Sequence, residues 1–219
     1  KKWYALPNHT NDHKDWLHWT RQGQNWNGMC AECHSTRLKK GYTIETDSFN
    51  TTFSEIDVSC EACHGPGSDH VDWAQTPEMG RPAADNFKLV VKTRDISSKD
   101  LVDVCARCHS RRASIDDFSH AHATPMDYMI PSLLNENLYF PDGQILDEVY
   151  VYGSFMQSKM FLRDVKCSDC HDVHSQELKI EGNGLCLSCH RADTYDTPDH
   201  HFHKKVYQGK QSPGDDCIH

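Results

Sequence analysis

Apolar residues along this 219-residue chain fall in short, irregular clusters rather than long periodic stretches. The clearest helical period follows Ser97-Ser98. Either serine can cap, Asp100 stands in the first turn, and Leu101, Val102 and Cys105 share a face, which predicts a helix to about Arg112. A second short helix is expected from Ser154 through Phe155, Met156 and Met160, with both methionines on one face in a core role. Asp142-Gly143 between apolar runs reads as a turn, and the β-branched and aromatic run Glu148–Tyr152 reads as a short strand. Gly65-Pro66-Gly67 reverses the chain. The rest predicts loop and short helix. No apolar run approaches the roughly 20 residues that span a bilayer, so no transmembrane helix is expected.

This pattern supplies little side chain for a core. Hydrophobic residues make up 37% and mean hydropathy is -0.74. Yet 5 Trp, 8 Tyr and 8 Phe, with charges mixed in sign, are not the composition of a disordered chain. Something other than side chains is expected to fill the interior. The net charge of -9 lacks the basic footprint of a nucleic-acid binder. Glycine-rich phosphate loops are absent from the sequence. The chain opens on Lys1-Lys2-Trp3 with no signal-peptide apolar region, as a processed protein or a piece of a longer one would.

The unusual counts are 11 Cys and 16 His. Ten of the cysteines form five C-x-x-C-H motifs: Cys30/Cys33/His34, Cys60/Cys63/His64, Cys105/Cys108/His109, Cys167/Cys170/His171 and Cys186/Cys189/His190. Shuffling this composition would give about 0.04 such matches. Disulfides need no His after each pair, zinc sites use two CxxC units per metal and five do not pair off, and a thioredoxin-like site would be a single motif. C-x-x-C-H is the attachment signature of c-type haem: two thiols reach the two vinyl groups of one porphyrin, and the adjacent His faces the iron. Five covalent haems therefore account for the thin core, and the expected fold is a multihaem cytochrome, short helices and loops wrapped around a stacked haem core with little β structure. Residues 1–219 are expected to form a single such domain. Cys217-Ile218-His219 reads as a sixth motif cut short, so Cys217 joins the candidate attachment sites.

Eleven histidines remain after the five motif ligands. A second His keeps a haem potential lower than an axial Met does, and the surplus favours bis-His ligation. His70 lies six residues past His64 and His174 three past His171, each too near to reach its own iron from the opposite face, so each is expected to serve a neighbouring haem. His18, His120 or His122, and one of His200, His201 and His203 complete the candidates. The first cysteines are spaced by 30, 45, 62 and 19 residues, which excludes a fixed repeat and brings the haems of His171 and His190 together. The motif-free segment 110–166 is expected to wrap the haems and deliver His120 or His122. Arg37, Arg107, Arg111, Arg112 and Arg191 lie beside motifs and are candidate propionate partners. Each ferric haem adds about -1, taking the oxidised protein to about -14 and the reduced one to about -19.

NWNGMCAECHS (25–35), CEACHGPGSDH (60–70), DGQILDEVYVYGSFMQSKM (142–160), CSDCHDVHS (167–175) and HHFH (200–203) resemble a family of exported bacterial multihaem cytochromes. Those proteins are often fused to tetratricopeptide repeats and are related to the tetrahaem cytochrome that takes electrons from hydroxylamine oxidoreductase. The resemblance implies that His70, His174 and the His200–His203 cluster are distal ligands and that a motif completes at Cys217. The chain departs from it in lacking an upstream haem motif and the tetratricopeptide repeats.

Closely packed bis-His haems with no open site pass electrons. An electron carrier is therefore expected, a periplasmic shuttle or a subunit of an extracellular filament, with other redox proteins or copies of itself as partners. The alternative is an oxidoreductase of a small nitrogen or sulfur compound, which needs one open iron and for which the sequence offers no CxxCK motif. Haem attachment outside the cytoplasm places the chain in the periplasm or the cell exterior.

Overall fold

The computed structural model describes residues 12–120 and 124–218. The chain divides into two compact units, Lys1–Arg163 and Asp164–His219.

In the first unit the helix Ser98–His109 organises the packing. Ser97 caps it: Oγ accepts the Asp100 N–H at 3.1 Å and donates to Asp100 Oδ2 at 2.8 Å. The helix buries Leu101, Val102, Ala106 and Arg107. It stops three residues short of the expected Arg112. Ser110 turns extended and its hydroxyl bonds back to Ala106 O, freeing Arg112–Ser114 to pair antiparallel with Met129–Pro131. Ala106, Tyr128 and Met129 form one small core, with Phe118 and Tyr152 against it, and Leu138, Tyr139 and Val149 form another.

The Asp142-Gly143 turn is present. Gly143 takes φ +89°, its N–H donates to Phe140 O at 2.9 Å, and Tyr139 bridges Ile145. The expected strand over Glu148–Tyr152 is not. Tyr150 and Val151 adopt φ 57° and 67°, the left-handed region, and a helix follows at Tyr152–Met156. The apolar character of the run serves burial: Val149 is 3% exposed, and its carbonyl accepts the Arg111 N–H. Ser154 thus lies inside this helix rather than starting it, and Met160 lies past its end, exposed, so the two methionines do not share a helix face.

The second unit consists of short helices, Cys167–Cys170, Asn183–Leu187, Ala192–Tyr195 and Pro198–His201, and two hairpins, His171–Asp172 with Glu177–Leu178 and Val206–Tyr207 with Lys210–Gln211. None of its described residues is fully buried. Among the described residues every sheet of the molecule is a two-stranded ladder.

The protein surface is larger than a self-sufficient core would leave. The chain exposes 16790 Å². A folded monomer of its 25.1 kDa mass exposes about 10,300 Å², and two separate units of these lengths about 12,000 Å². Large apolar side chains contribute to it, as at Trp19 (78% exposed), Ile56 (64%) and Phe202 (85%).

Candidate haem-attachment sites

Each motif folds as a helical turn. Cys60–His64 is a helix, and Cys105, Cys108 and His109 end the helix Ser98–His109. Cys167–Cys170 is a third, capped by the His171 N–H donating to Cys167 O. The remaining two are single turns closed by His34 N–H to Cys30 O at 3.0 Å and His190 N–H to Cys186 O at 2.9 Å. Positions i, i+3 and i+4 share one face of such a turn, so both thiols and the imidazole of a motif are presented together, except that His171 turns extended directly after its helix. All eleven thiols are free of disulfides and none is fully buried.

The turns also approach one another within each unit. In the first, Cys33 Sγ lies 3.8 Å from Cys108 O and 3.8 Å from an Arg112 nitrogen. The Cys108 thiol and the Arg112 guanidinium acidify Cys33 to about 6, against an opposing effect of burial. Arg107, inside the third motif, donates to Ala62 O of the second at 3.4 Å. Burial raises the Cys63 thiol there, with Arg107 opposing. In the second unit, burial, Asp169 and the thiols of Cys186, Cys189 and Cys167 all raise Cys170, so the fourth and fifth motifs face each other as their short spacing requires. Cys217 lies beside Cys186, its N–H held by Asn183 Oδ1 at 2.8 Å.

The distal candidates divide. His70 Nδ1 donates to Phe87 O at 2.7 Å, which leaves Nε2 with its lone pair, the arrangement a metal-bound imidazole uses. His120 sits against the second motif with Nε2 bonded to Glu61 O at 2.9 Å, so segment 110–166 does deliver it to a motif. Burial, then Arg107 and Arg37, lower its pKa and keep the ring neutral. His200 reaches the fifth motif through Tyr195, whose ring lies 5.0 Å from His200 and 4.9 Å from His190. His201 accepts the His203 N–H on Nδ1, and its Nε2 is buried with no hydrogen-bond partner. The His201 and His203 rings stack, centroids 6.5 Å apart. His18 bonds locally to Thr20, and His174 is exposed in the hairpin beside His171. His122 lies outside the described residues.

Four of the five motif-flanking arginines pair with protein carboxylates: Arg37 with Glu61, Arg111 with Asp147, Arg112 with Glu32 and Arg191 with Asp193. Sequence reasoning missed the network around Glu32, which sits between the two cysteines of the first motif. Burial raises its carboxyl, but the Ser114 hydroxyl, Arg112 and Lys40 together hold it below the usual range. Tyr195 was missed too. The only sequence signal for Glu32 is a charged residue within a motif, and Tyr195 carries none.

The donor set distinguishes a macrocycle from a bare ion. Among the described residues no three His, Cys, Asp or Glu side chains converge on a common metal point. The donors are instead strung as thiol–thiol–imidazole turns beside uncovered apolar surface, which suits a flat, apolar, covalently held group.

Comparisons agree. A family model described as a doubled CXXCH motif matches residues 161–194, which hold the fourth and fifth motifs. One described as cytochrome c554 and c-prime matches residues 1–65, which hold the first two. Among solved structures the chain is similar to the outer cell wall cytochrome OcwA, with a TM-score of 0.55, 18% identity, and 78% of this chain matched to 45% of that one. It is also similar to an undecaheme cytochrome from the S-layer of Carboxydothermus ferrireducens, at 17% identity, a TM-score of 0.32, and 78% of this chain against 30% of that one. This chain thus spans less than half the length of either. No curated protein matches. With haem-attachment turns repeated along it, two matched haem-protein family models and an OcwA-like fold, the chain is a multihaem c-type cytochrome.

Proposed function

We propose that this chain carries electrons through five covalently attached bis-His haems. The observation that supports the reading best is the clustering of the motif turns: the first, second and third meet through Cys33, Cys108, Ala62 and Arg107, and the fourth and fifth through Cys170, Cys186 and Cys189. Haem c supplies one-electron iron chemistry when bound. The residues do the rest. Cys30/Cys33, Cys60/Cys63, Cys105/Cys108, Cys167/Cys170 and Cys186/Cys189 anchor the groups, and His34, His64, His109, His171 and His190 are their proximal ligands. His70, with Nδ1 held by Phe87 O, is the best-prepared distal ligand, and His120 and the His200–His203 cluster are the next. The motif-bearing units, rich in exposed apolar surface, give adjacent groups short paths to one another and to the outside.

Attachment of haem c takes place outside the cytoplasm, and the fold resembles that of an outer cell wall cytochrome. The chain therefore acts in the periplasm or on the cell exterior, handing electrons to other redox proteins or to copies of itself in a filament. Among the described residues no helix is long and apolar enough to cross a membrane. Intact mass under denaturing conditions counts the covalent haems, and electron paramagnetic resonance of the oxidised protein reads their spin states. Five haems, all low-spin, are expected. Fewer than five overturns the count, and a high-spin iron that binds nitrite or hydroxylamine overturns the carrier role in favour of an enzyme.

A further inference from the structure

Of the five motif-flanking arginines, Arg107 alone is buried without an anion. It is 4% exposed. Its guanidinium stacks 4.1 Å over the Phe118 ring and donates to Ala62 O at 3.4 Å, while its Nε is buried with no partner. No carboxylate forms an ion pair with it among the described residues, which include every Asp and Glu of the chain. Glu32, Asp116 and Asp117 line the same cleft without pairing it, Glu32 being held by Arg112 and Lys40. Arg112, the neighbouring half-buried cation, is neutralised by Glu32. A guanidinium cannot shed its proton, so a fixed positive charge is held in low-dielectric surroundings between the second and third motifs. The second unit offers the reverse: among its described residues none is fully buried, and its one arginine, Arg191, is exposed and paired with Asp193.

We infer that Arg107 is a potential-setting residue, which raises the reduction potentials of the irons held at His64 and His109 above those of the irons held at His171 and His190. This rests on the haem-bearing reading above. Reduction adds one electron and no proton at each iron, so a nearby fixed cation stabilises the reduced state. The two units thereby differ in potential, with the haems beside Arg107 the first to reduce.

The test is a spectroelectrochemical titration of the holoprotein with Arg107→Gln and Arg107→Lys. At an effective dielectric near 20, a unit charge changes an equilibrium by about tenfold when it acts over roughly 12 Å, and by more when closer. In R107Q the reduced-to-oxidised ratio at the most positive steps should fall by about that factor, with the most negative steps unmoved. R107K, which keeps the charge, should shift less. If no step moves in R107Q, or if only the most negative steps move, the inference is overturned. Should R107Q fail to mature, the wild-type protein decides. In exchange NMR of partly reduced samples, the first haem to reduce should show contacts to the Phe118 or Tyr128 ring. Contacts to Tyr195 instead would refute that order. Absence of haem from the purified protein would be a failure of the carrier reading, which the mass measurement detects separately.

Discussion

Preventing haem attachment should abolish the fold, and the surface areas say by how wide a margin. An unfolded chain of 25.1 kDa exposes about 36,000 Å². Against the 16790 Å² exposed when folded, the polypeptide buries about 54% of its surface. A typical domain of this size buries about 72%, and even a marginally stable 60-residue domain buries about 60%. Among the described residues the fully buried hydrophobic ones are few, all lie in the first unit, and only six of the ten gather into two small clusters. The polypeptide alone therefore falls below the burial at which small domains become marginal, and ordering entropy wins. Covalent attachment matters as well, because each thioether pair restricts the unfolded chain. The assay replaces the ten motif cysteines with alanine and compares near-UV circular dichroism and urea unfolding with the holoprotein. No near-UV signal and no cooperative transition are expected. A cooperative transition in the haem-free chain, with near-native near-UV bands, would refute the reasoning.

Three further outcomes follow from particular contacts. Ser97→Ala in the holoprotein removes the cap of the helix Ser98–His109 and should cost about 1 kcal/mol, a fall of roughly 2–4 °C in Tm by thermal denaturation. Met129→Ala, at a site 0% exposed beneath Tyr128 and Ala106, should cost about 2–5 kcal/mol in denaturant titrations, and a cost well under 1 kcal/mol would show that the cluster is not a packed core. His70→Ala should convert one iron to a high-spin, cyanide-binding form while the others stay low-spin in paramagnetic resonance, and an unchanged spectrum would remove His70 from the ligand set.

The parts of this protein legible from its sequence are those whose cause is local. A cysteine pair followed by His folds as one turn at every occurrence, Ser97 caps where its neighbours say it should, and Gly143 turns where Asp142-Gly143 predicts. The misreadings arise where a distant contact outbids a local preference. Glu148–Tyr152 has the residues of a strand, yet it has no partner strand, and Val149 goes to the core through Leu138 and Tyr139. The helix after Ser97 had the residues to run on, but Met129–Pro131, 15 to 19 positions further along, claims Arg112–Ser114 as a ladder. Distal histidines are hardest of all. Nothing within a few residues of His70 or His120 announces Phe87 O or Glu61 O.

The described ladders also bear on how such a chain can vary. Each joins two strands of only two or three residues, and no strand is shared between two ladders. In a continuous sheet, an inserted residue slips the register of every strand that follows. Here an insertion between ladders has nothing to slip. The anchored groups fix where each turn must be, and the peptide between them is free in length. The uneven gaps of 30, 45, 62 and 19 residues are then no irregularity to be explained, but the tolerance such a build allows, and new haem turns could be spliced in without rebuilding the old ones.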